Sequence, residues 1–294
     1  MMQAPATCGE LVQGSLDEVP CLVSCPIDLW SSATVALRGD PGWAAPDDAP
    51  KAAQAIAAGA ALLGHGASGG ILHLDSAIPR GRGYGSSTAD IVAALAALGE
   101  ALGRPLPPHE IAAIAVVVEP TDSVMFPGLA LFDHRRGTLH EALGDAPDMA
   151  IIVLDPGGTV DTVSFNQRDL APALRRLAPD HRQAFDLLRS GVRQSDLPAI
   201  GAAATLSAQL HQRILHNQLL GMALELADNV GACGVCRAHS GTILGLLLDP
   251  AACDVAGAAR YVREHAPGGV AVRLQHLVGG GARSHKPTDT RRML

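Results

Sequence analysis

The 294-residue sequence predicts an α+β fold in two domains. Strand and helix signals are mixed along the whole chain, and their pattern changes near residue 145. Beyond that point the elements follow the order β-α-β-β-α-β, with extra helices in the first crossover, which is the split βαβ arrangement. The 48% hydrophobic content suffices to bury one large core or two modest ones. Domains are expected at 1–145 and 146–283. The basic, polar segment 284–294 is expected to be a disordered tail.

Residues 4–39 read as strands and turns. Cys21–Cys25 and Ser32–Leu37 have β character and are divided at Pro26. Residues 39–50 form a Pro/Asp/Gly-rich loop. The Ala-rich stretch 51–63 suits a helix, and 70–75 alternates like a strand. A glycine-rich turn leads into an apolar helix at 87–102, where Ile91, Leu95, Leu98 and Leu102 share one stripe. Pro107-Pro108 announces a second helix at 108–118. In the second half, the unbroken apolar run 149–154 suits a buried strand. Helices are expected at 168–190, 196–212 and 217–230. A hairpin at 234–239 and 242–248 turns at Ser240-Gly241. A helix at 251–265 and a strand at 270–277 follow. There is no internal repeat.

The formal net charge of −7 leaves no electrostatic footprint for nucleic acid or an anionic membrane, so any phosphate site must be local. No apolar stretch reaches the roughly 20 residues needed to span a bilayer. No signal peptide is seen, and the cytoplasm is the expected compartment. The six cysteines then read as free thiols. The alternative is a four-thiolate zinc site built from Cys21, Cys25, Cys233 and Cys236. Apolar flanks around Cys233 and Cys236 favour buried structural thiols instead.

The most informative stretch is Pro79-Arg80-Gly81-Arg82-Gly83-Tyr84-Gly85-Ser86-Ser87-Thr88-Ala89-Asp90. Three glycines allow positive φ and close approach of a ligand to the backbone. Three hydroxyls follow where a helix begins, and the helix start offers free amides and the positive end of its dipole. Together these features suit a polyphosphate. Ser86 or Ser87 can cap the helix, touch a phosphate oxygen or ligate Mg²⁺. No Gly-Lys-Ser/Thr ending is present, and the glycine spacing is not that of a dinucleotide site. A glycine-rich helix entry with capping serines and no ligand is the plain alternative.

The pattern Pro-x-x-x-Gly-x-Gly-Ser-Ser-x-Ala resembles the second signature of the GHMP kinases. That resemblance implies an N-terminal domain like ribosomal protein S5 domain 2 and a C-terminal ferredoxin-like domain. Further stretches resemble the L-threonine kinases of cobalamin biosynthesis. They are Ala6–Gly14, Leu22–Asp28, Ser86–Ile91, Val118–Ser123, Leu131–His134, Ala204–Ala208 and Ala238–Thr242. The matches run in order from about residue 4 to about residue 282. Three positions differ from the family pattern. Thr7-Cys8-Gly9 stands where many members carry a Lys, Tyr84 replaces a Leu at a position expected to face the nucleotide, and the third motif is shortened to His239-Ser240-Gly241.

The resemblance implies ATP-dependent phosphorylation of the L-threonine hydroxyl, feeding the aminopropanol arm of cobalamin biosynthesis. Other outcomes are a kinase for another small hydroxylated metabolite such as homoserine, or a catalytically silent binding homologue. Pro79, Gly81, Gly83, Tyr84, Gly85, Ser86, Ser87 and Thr88 are expected around ATP. Ser87 and Glu119 are expected to hold Mg²⁺, since one hydroxyl and one carboxylate suffice for it. Asp122 is the expected general base. The plain alternative for Glu119-Pro120-Thr121-Asp122 is a helix end and capped turn. Glu10, Asp28, His239 and Ser240 are candidates for holding the amino-acid substrate. Arg80 and Arg82 flank the loop as phosphate contacts or surface residues. The partners expected are ATP and L-threonine, with no nucleic acid or membrane. A homodimer is carried as an expectation with no residue assigned to it.

Overall fold

In the computed structural model, which describes residues 1–158 and 171–285, two long antiparallel strands form the spine. They are β1 (Met2–Leu16) and β2 (Val19–Arg38). Asp17 and Glu18 join them with φ of 48° and 67°. Two successive positive φ values make the mirror-image turn that matches strand twist. β2 runs unbroken through Pro26, contrary to the division expected there. The register slips on either side of the Thr7–Pro26 pair, and proline is tolerated at such irregularities.

The remaining strands are β3 (Gly42–Ala44), β4 (Gly69–Ser76), β5 (Leu129–Phe132), β6 (His140–Gly144), β7 (Ala150–Asp155), β8 (Gly234–Arg237), β9 (Leu244–Leu248), β10 (Ala271–His276) and β11 (Arg283–Ser284). The helices are α1 (Pro50–Leu62), α2 (Ser86–Ala101), α3 (Pro108–Val118), α4 (Ala171–Gln194), α5 (Leu197–His211), α6 (Leu220–Val230) and α7 (Val255–His265).

One sheet runs β10-β7-β9-β8-β1-β2-β4-β3. Its second-half portion, β10-β7-β9-β8, is antiparallel throughout and has the ferredoxin-like order. A single register pair, Glu10 with Arg237, joins β1 to β8. Glu10 therefore stands where the two halves meet. The segment expected to be a tail begins with β11, whose Ser284 pairs with Met2; residues 286–294 lie outside the described residues.

β7 is apolar from Ala150 to Leu154 because both of its faces are covered. Ile151 and Val153 join the larger core with α2, α4 and α5. Ala150, Ile152 and Leu154 join a second core with α6 and α7. In α2, Ile91, Leu95 and Leu98 are fully buried. Each such side chain contributes roughly 1.5–3 kcal/mol. That packing fixes the direction in which the N-terminus of α2 points.

The cysteines do not assemble as a zinc cage. Cys25 lies with Cys236 and Cys8, while Cys233 lies near Cys253 and Cys21 near Arg189. Three residues along a strand turn Cys233 and Cys236 to opposite faces, and four place Cys21 about 13 Å from Cys25. All six thiols are free, and no metal-holding group of three or more His, Cys, Asp or Glu occurs among the described residues.

Candidate active site

Between β4 and α2 the chain makes a loop with φ of +72° at Gly81, +99° at Gly83 and +64° at Gly85. Carbonyls of the loop are taken up by β1 and by the turn between β8 and β9. Thr7 N donates to Tyr84 O at 2.9 Å and Gly9 N to Gly83 O at 3.2 Å. Thr242 N and Ile243 N both donate to Arg82 O, at 2.9 and 3.2 Å. The first helical bond of α2 runs from Ala89 N to Gly85 O, and no side chain caps the helix. The amides of Ser86, Ser87 and Thr88 therefore have no helical carbonyl. They face a cavity of about 390 Å³ at the positive end of the helix dipole.

The glycines are required by space. A Cβ at Gly83 would stand 2.2 Å from the Cβ of Ala238. Tyr84 is almost fully buried, and its hydroxyl donates to Asp155 Oδ2 at 3.2 Å. Arg82 Nη1 reaches the same oxygen at 3.0 Å, and Gly157 N donates to Asp155 Oδ1 at 2.9 Å. Tyr84 and Arg82 thus tether the loop to the end of β7, and the tyrosine ring is committed to that anchor. Arg80 Nη1 donates to buried Asp90 at 2.9 Å, and Asp90 also accepts from Ser31 Oγ at 2.6 Å.

Opposite the loop, Pro120 ends α3, and Glu119 turns out in extended backbone with φ of −165°. Its Oε1 accepts the hydroxyl of Ser87, and its Oε2 pairs with Lys51. Three residues on, Asp122 N donates to Thr88 Oγ1 at 3.3 Å, and Thr121 Oγ1 donates to the same hydroxyl at 3.0 Å. Ser24 and Ser123 exchange amide-to-hydroxyl bonds at 3.2 and 2.9 Å, which pins this turn to β2. Burial pushes Asp122 up to about 7, helped by the nearby charges of Glu10 and Glu119 and opposed by hydrogen bonds from Thr88 and Ser24.

Glu10 lines the same cavity as Asp122. Burial raises it to about 8, against the pull of a backbone hydrogen bond from His239 and the charge of Arg237. His239 N and Nδ1 lie 3.0 and 2.8 Å from Glu10 Oε2. Burial holds His239 well below the usual imidazole range, so desolvation disfavours charge on both members of the pair.

The structure thus brings Glu10, Gly81, Gly83, Tyr84, Gly85, Ser86, Ser87, Thr88, Glu119, Asp122 and Ser240 to one cavity. It leaves out three of the expected residues. Pro79 precedes the cavity wall. His239 sits behind Glu10 and positions it. Asp28 is on the outer face, accepting from His276 N at 2.8 Å and lying 3.2 Å from His276 Nδ1. It falls in the irregular stretch of β2 between Ile27 and Trp30, where two residues have no partner on β1, and its side chain is exposed.

Sequence reasoning missed Lys51, Arg135 and His211, which also line the cavity. Asp133 builds the loop that carries Arg135, accepting from the amides of Arg135, Arg136 and Thr138 at 3.1, 3.1 and 3.2 Å. Thr121 N donates to His134 O at 2.9 Å, which fastens that loop beside Asp122.

The donor sets fit a nucleotide with Mg²⁺. A hydroxyl and a carboxylate in contact offer the hard oxygens that Mg²⁺ prefers. The glycine backbone at 83 and 85, where side chains would collide, leaves free amides for phosphate oxygens.

The GHMP kinases N-terminal domain model matches residues 50–126. The L-threonine kinase of Salmonella typhimurium is 32% identical over 255 residues, covering 86% of this chain and 84% of the relative. That of Citrobacter freundii is 32% identical over 259 residues, covering 86% and 88%. Among solved structures, homoserine kinase from Cytophaga hutchinsonii superposes with a TM-score of 0.70 at 16% identity, covering 96% of each chain, which shows the shared fold.

Proposed function

The chain belongs to the GHMP kinases, which makes it a small-molecule kinase, and on that premise we propose that it transfers the γ-phosphoryl group of ATP to the hydroxyl of L-threonine. The products are O-phospho-L-threonine and ADP. The observation that carries the reading is the Ser87–Glu119 contact at the start of α2, in the same cavity as Asp122 and Glu10. The identity to L-threonine kinases over most of the chain supports the choice of acceptor.

Each residue has a task in this reaction. The amides of Ser86–Thr88 and the backbone at Gly83 and Gly85 hold the triphosphate. Ser87 and Glu119 hold Mg²⁺, which when bound supplies neutralisation of the charge on the transferring group. Asp122 orients the threonine hydroxyl and accepts its proton as the oxygen attacks phosphorus. Its raised pKa makes it a better base than an ordinary carboxylate.

Glu10 takes the substrate ammonium. A cation beside it favours its ionised form, offsetting the burial that raises its pKa. Arg135 is exposed at the cavity wall and takes the substrate carboxylate, and Ser240 adds a hydroxyl. The use of the product in the aminopropanol arm of cobalamin biosynthesis rests on the resemblance alone.

Steady-state assays with ATP and L-threonine, L-serine or L-homoserine test the reading. L-Threonine is expected to have the highest kcat/KM, with phosphothreonine identified by ³¹P NMR. Turnover confined to serine or homoserine removes the threonine assignment.

A further inference from the structure

The Lys51–Glu119 ion pair has features that a plain surface contact does not explain. Lys51 lies in the first turn of α1, a turn with no acidic residue. A cation there opposes the helix dipole, so the position is unfavourable for the helix itself. Residues 48–52 line the same cavity as Ser86–Thr88, so the N-termini of α1 and α2 both open on it. Lys51 adds a full positive charge to that wall.

The residue type matters as well. Of the 22 Lys and Arg residues, 20 are Arg and two are Lys, at positions 51 and 286. Lys51 is the one lysine among the described residues. A chain that uses arginine for nearly every cation keeps a lysine on this cavity. The two side chains differ in how they hold a carboxylate. A guanidinium fork takes both oxygens at once, whereas an ammonium is a point charge that makes one contact and leaves easily. Here the single contact is on Glu119 Oε2, and Oε1 remains with Ser87. The Lys51 side chain is 46% exposed, so it can rotate off the carboxylate without unpacking a core.

We propose that Lys51 is a displaceable cation of the phosphate site. It neutralises Glu119 while the site is empty, and it turns to a nucleotide phosphate oxygen when a divalent cation takes Glu119. The inference rests on the nucleotide reading of the cavity and adds to it a second, movable positive charge.

Isothermal titration calorimetry of ATP with and without Mg²⁺ tests it, on the wild type, Lys51→Met and Lys51→Arg. Lys51→Met is expected to weaken MgATP binding about tenfold, with little change in the Tm of the free protein. Lys51→Arg is expected to raise the Mg²⁺ concentration for half-maximal ATP binding severalfold, because the fork competes for both Glu119 oxygens. Binding of metal-free ATP by that variant is expected to match the wild type. MgATP affinity in Lys51→Met equal to wild type overturns the inference, whatever Lys51→Arg does. Absence of MgATP binding by the wild type overturns the nucleotide reading as well.

Discussion

A Cβ placed on Gly85 would stand 2.6 Å from Oδ2 of Asp122 and 2.8 Å from Oγ1 of Thr7. The residue that starts α2 and the carboxylate beside the acceptor site thus share one tightly filled space. Phosphate holding and base placement are therefore coupled. Gly85→Ala combines a strained φ of +64° with displacement of Asp122. Its kcat/KM is expected to fall at least about 100-fold, well beyond what the roughly 1–2 kcal/mol of backbone strain does to folding. Kinetics beside a thermal melt separate the two effects.

Asp122→Asn keeps the shape of the turn and removes the base. A loss of about 10²–10⁴ in kcat is expected, with MgATP affinity retained. Because burial pushes Asp122 up to about 7, kcat/KM of the wild type should rise through that region as pH increases and the carboxylate ionises. The asparagine variant should lose that step. Single-turnover kinetics between pH 5.5 and 9 are the check. An unchanged profile in the variant would move the base elsewhere.

Glu10 gives a stability prediction of definite sign. Its folded-state value of about 8 lies above the ordinary 4.5, so the folded protein binds the extra proton between those values. Its contribution to stability is full below about 4.5 and is lost as pH rises through 8. Glu10→Gln has no such loss. The variant is expected to gain in Tm relative to wild type between pH 5 and pH 9. A difference that is flat across this range would contradict burial as the cause.

Glu119→Gln keeps the hydrogen-bond acceptor for Ser87 but removes the charge. The Mg²⁺ concentration needed for half-maximal rate is expected to rise about tenfold or more, with a smaller change for ATP alone. Titrating Mg²⁺ at saturating ATP reads the difference directly.

Much of this was legible in the sequence because local chemistry decided it. The glycine and serine run marked the loop and the start of α2, Pro120 marked the end of α3, and the apolar run at 149–154 marked a strand covered on both faces. The hairpin turn at Asp17-Glu18 was not legible, since Asp tolerates positive φ but Glu is not a usual choice for it; strand pairing imposes the conformation. Asp28 was a candidate for its carboxylate and its motif, but it falls in the irregular stretch of β2 between Ile27 and Trp30 and bonds to His276 instead. His239 lay within reach of the site by motif but is held behind Glu10, a relationship across 229 residues. Lys51 and Arg135 carry no motif of their own. Only the approach of α1 and of the Asp133 loop to the cavity reveals them.

The central claim is that the amides of Ser86, Ser87 and Thr88 wrap a triphosphate while Asp122 faces the acceptor hydroxyl. A crystal structure with a non-hydrolysable ATP analogue, Mg²⁺ and L-threonine measures this directly. The account predicts phosphate oxygens at those amides, Mg²⁺ on Ser87 and Glu119, and the threonine hydroxyl within hydrogen-bond distance of Asp122. Nucleotide bound away from the start of α2, or a threonine hydroxyl remote from Asp122, would contradict it.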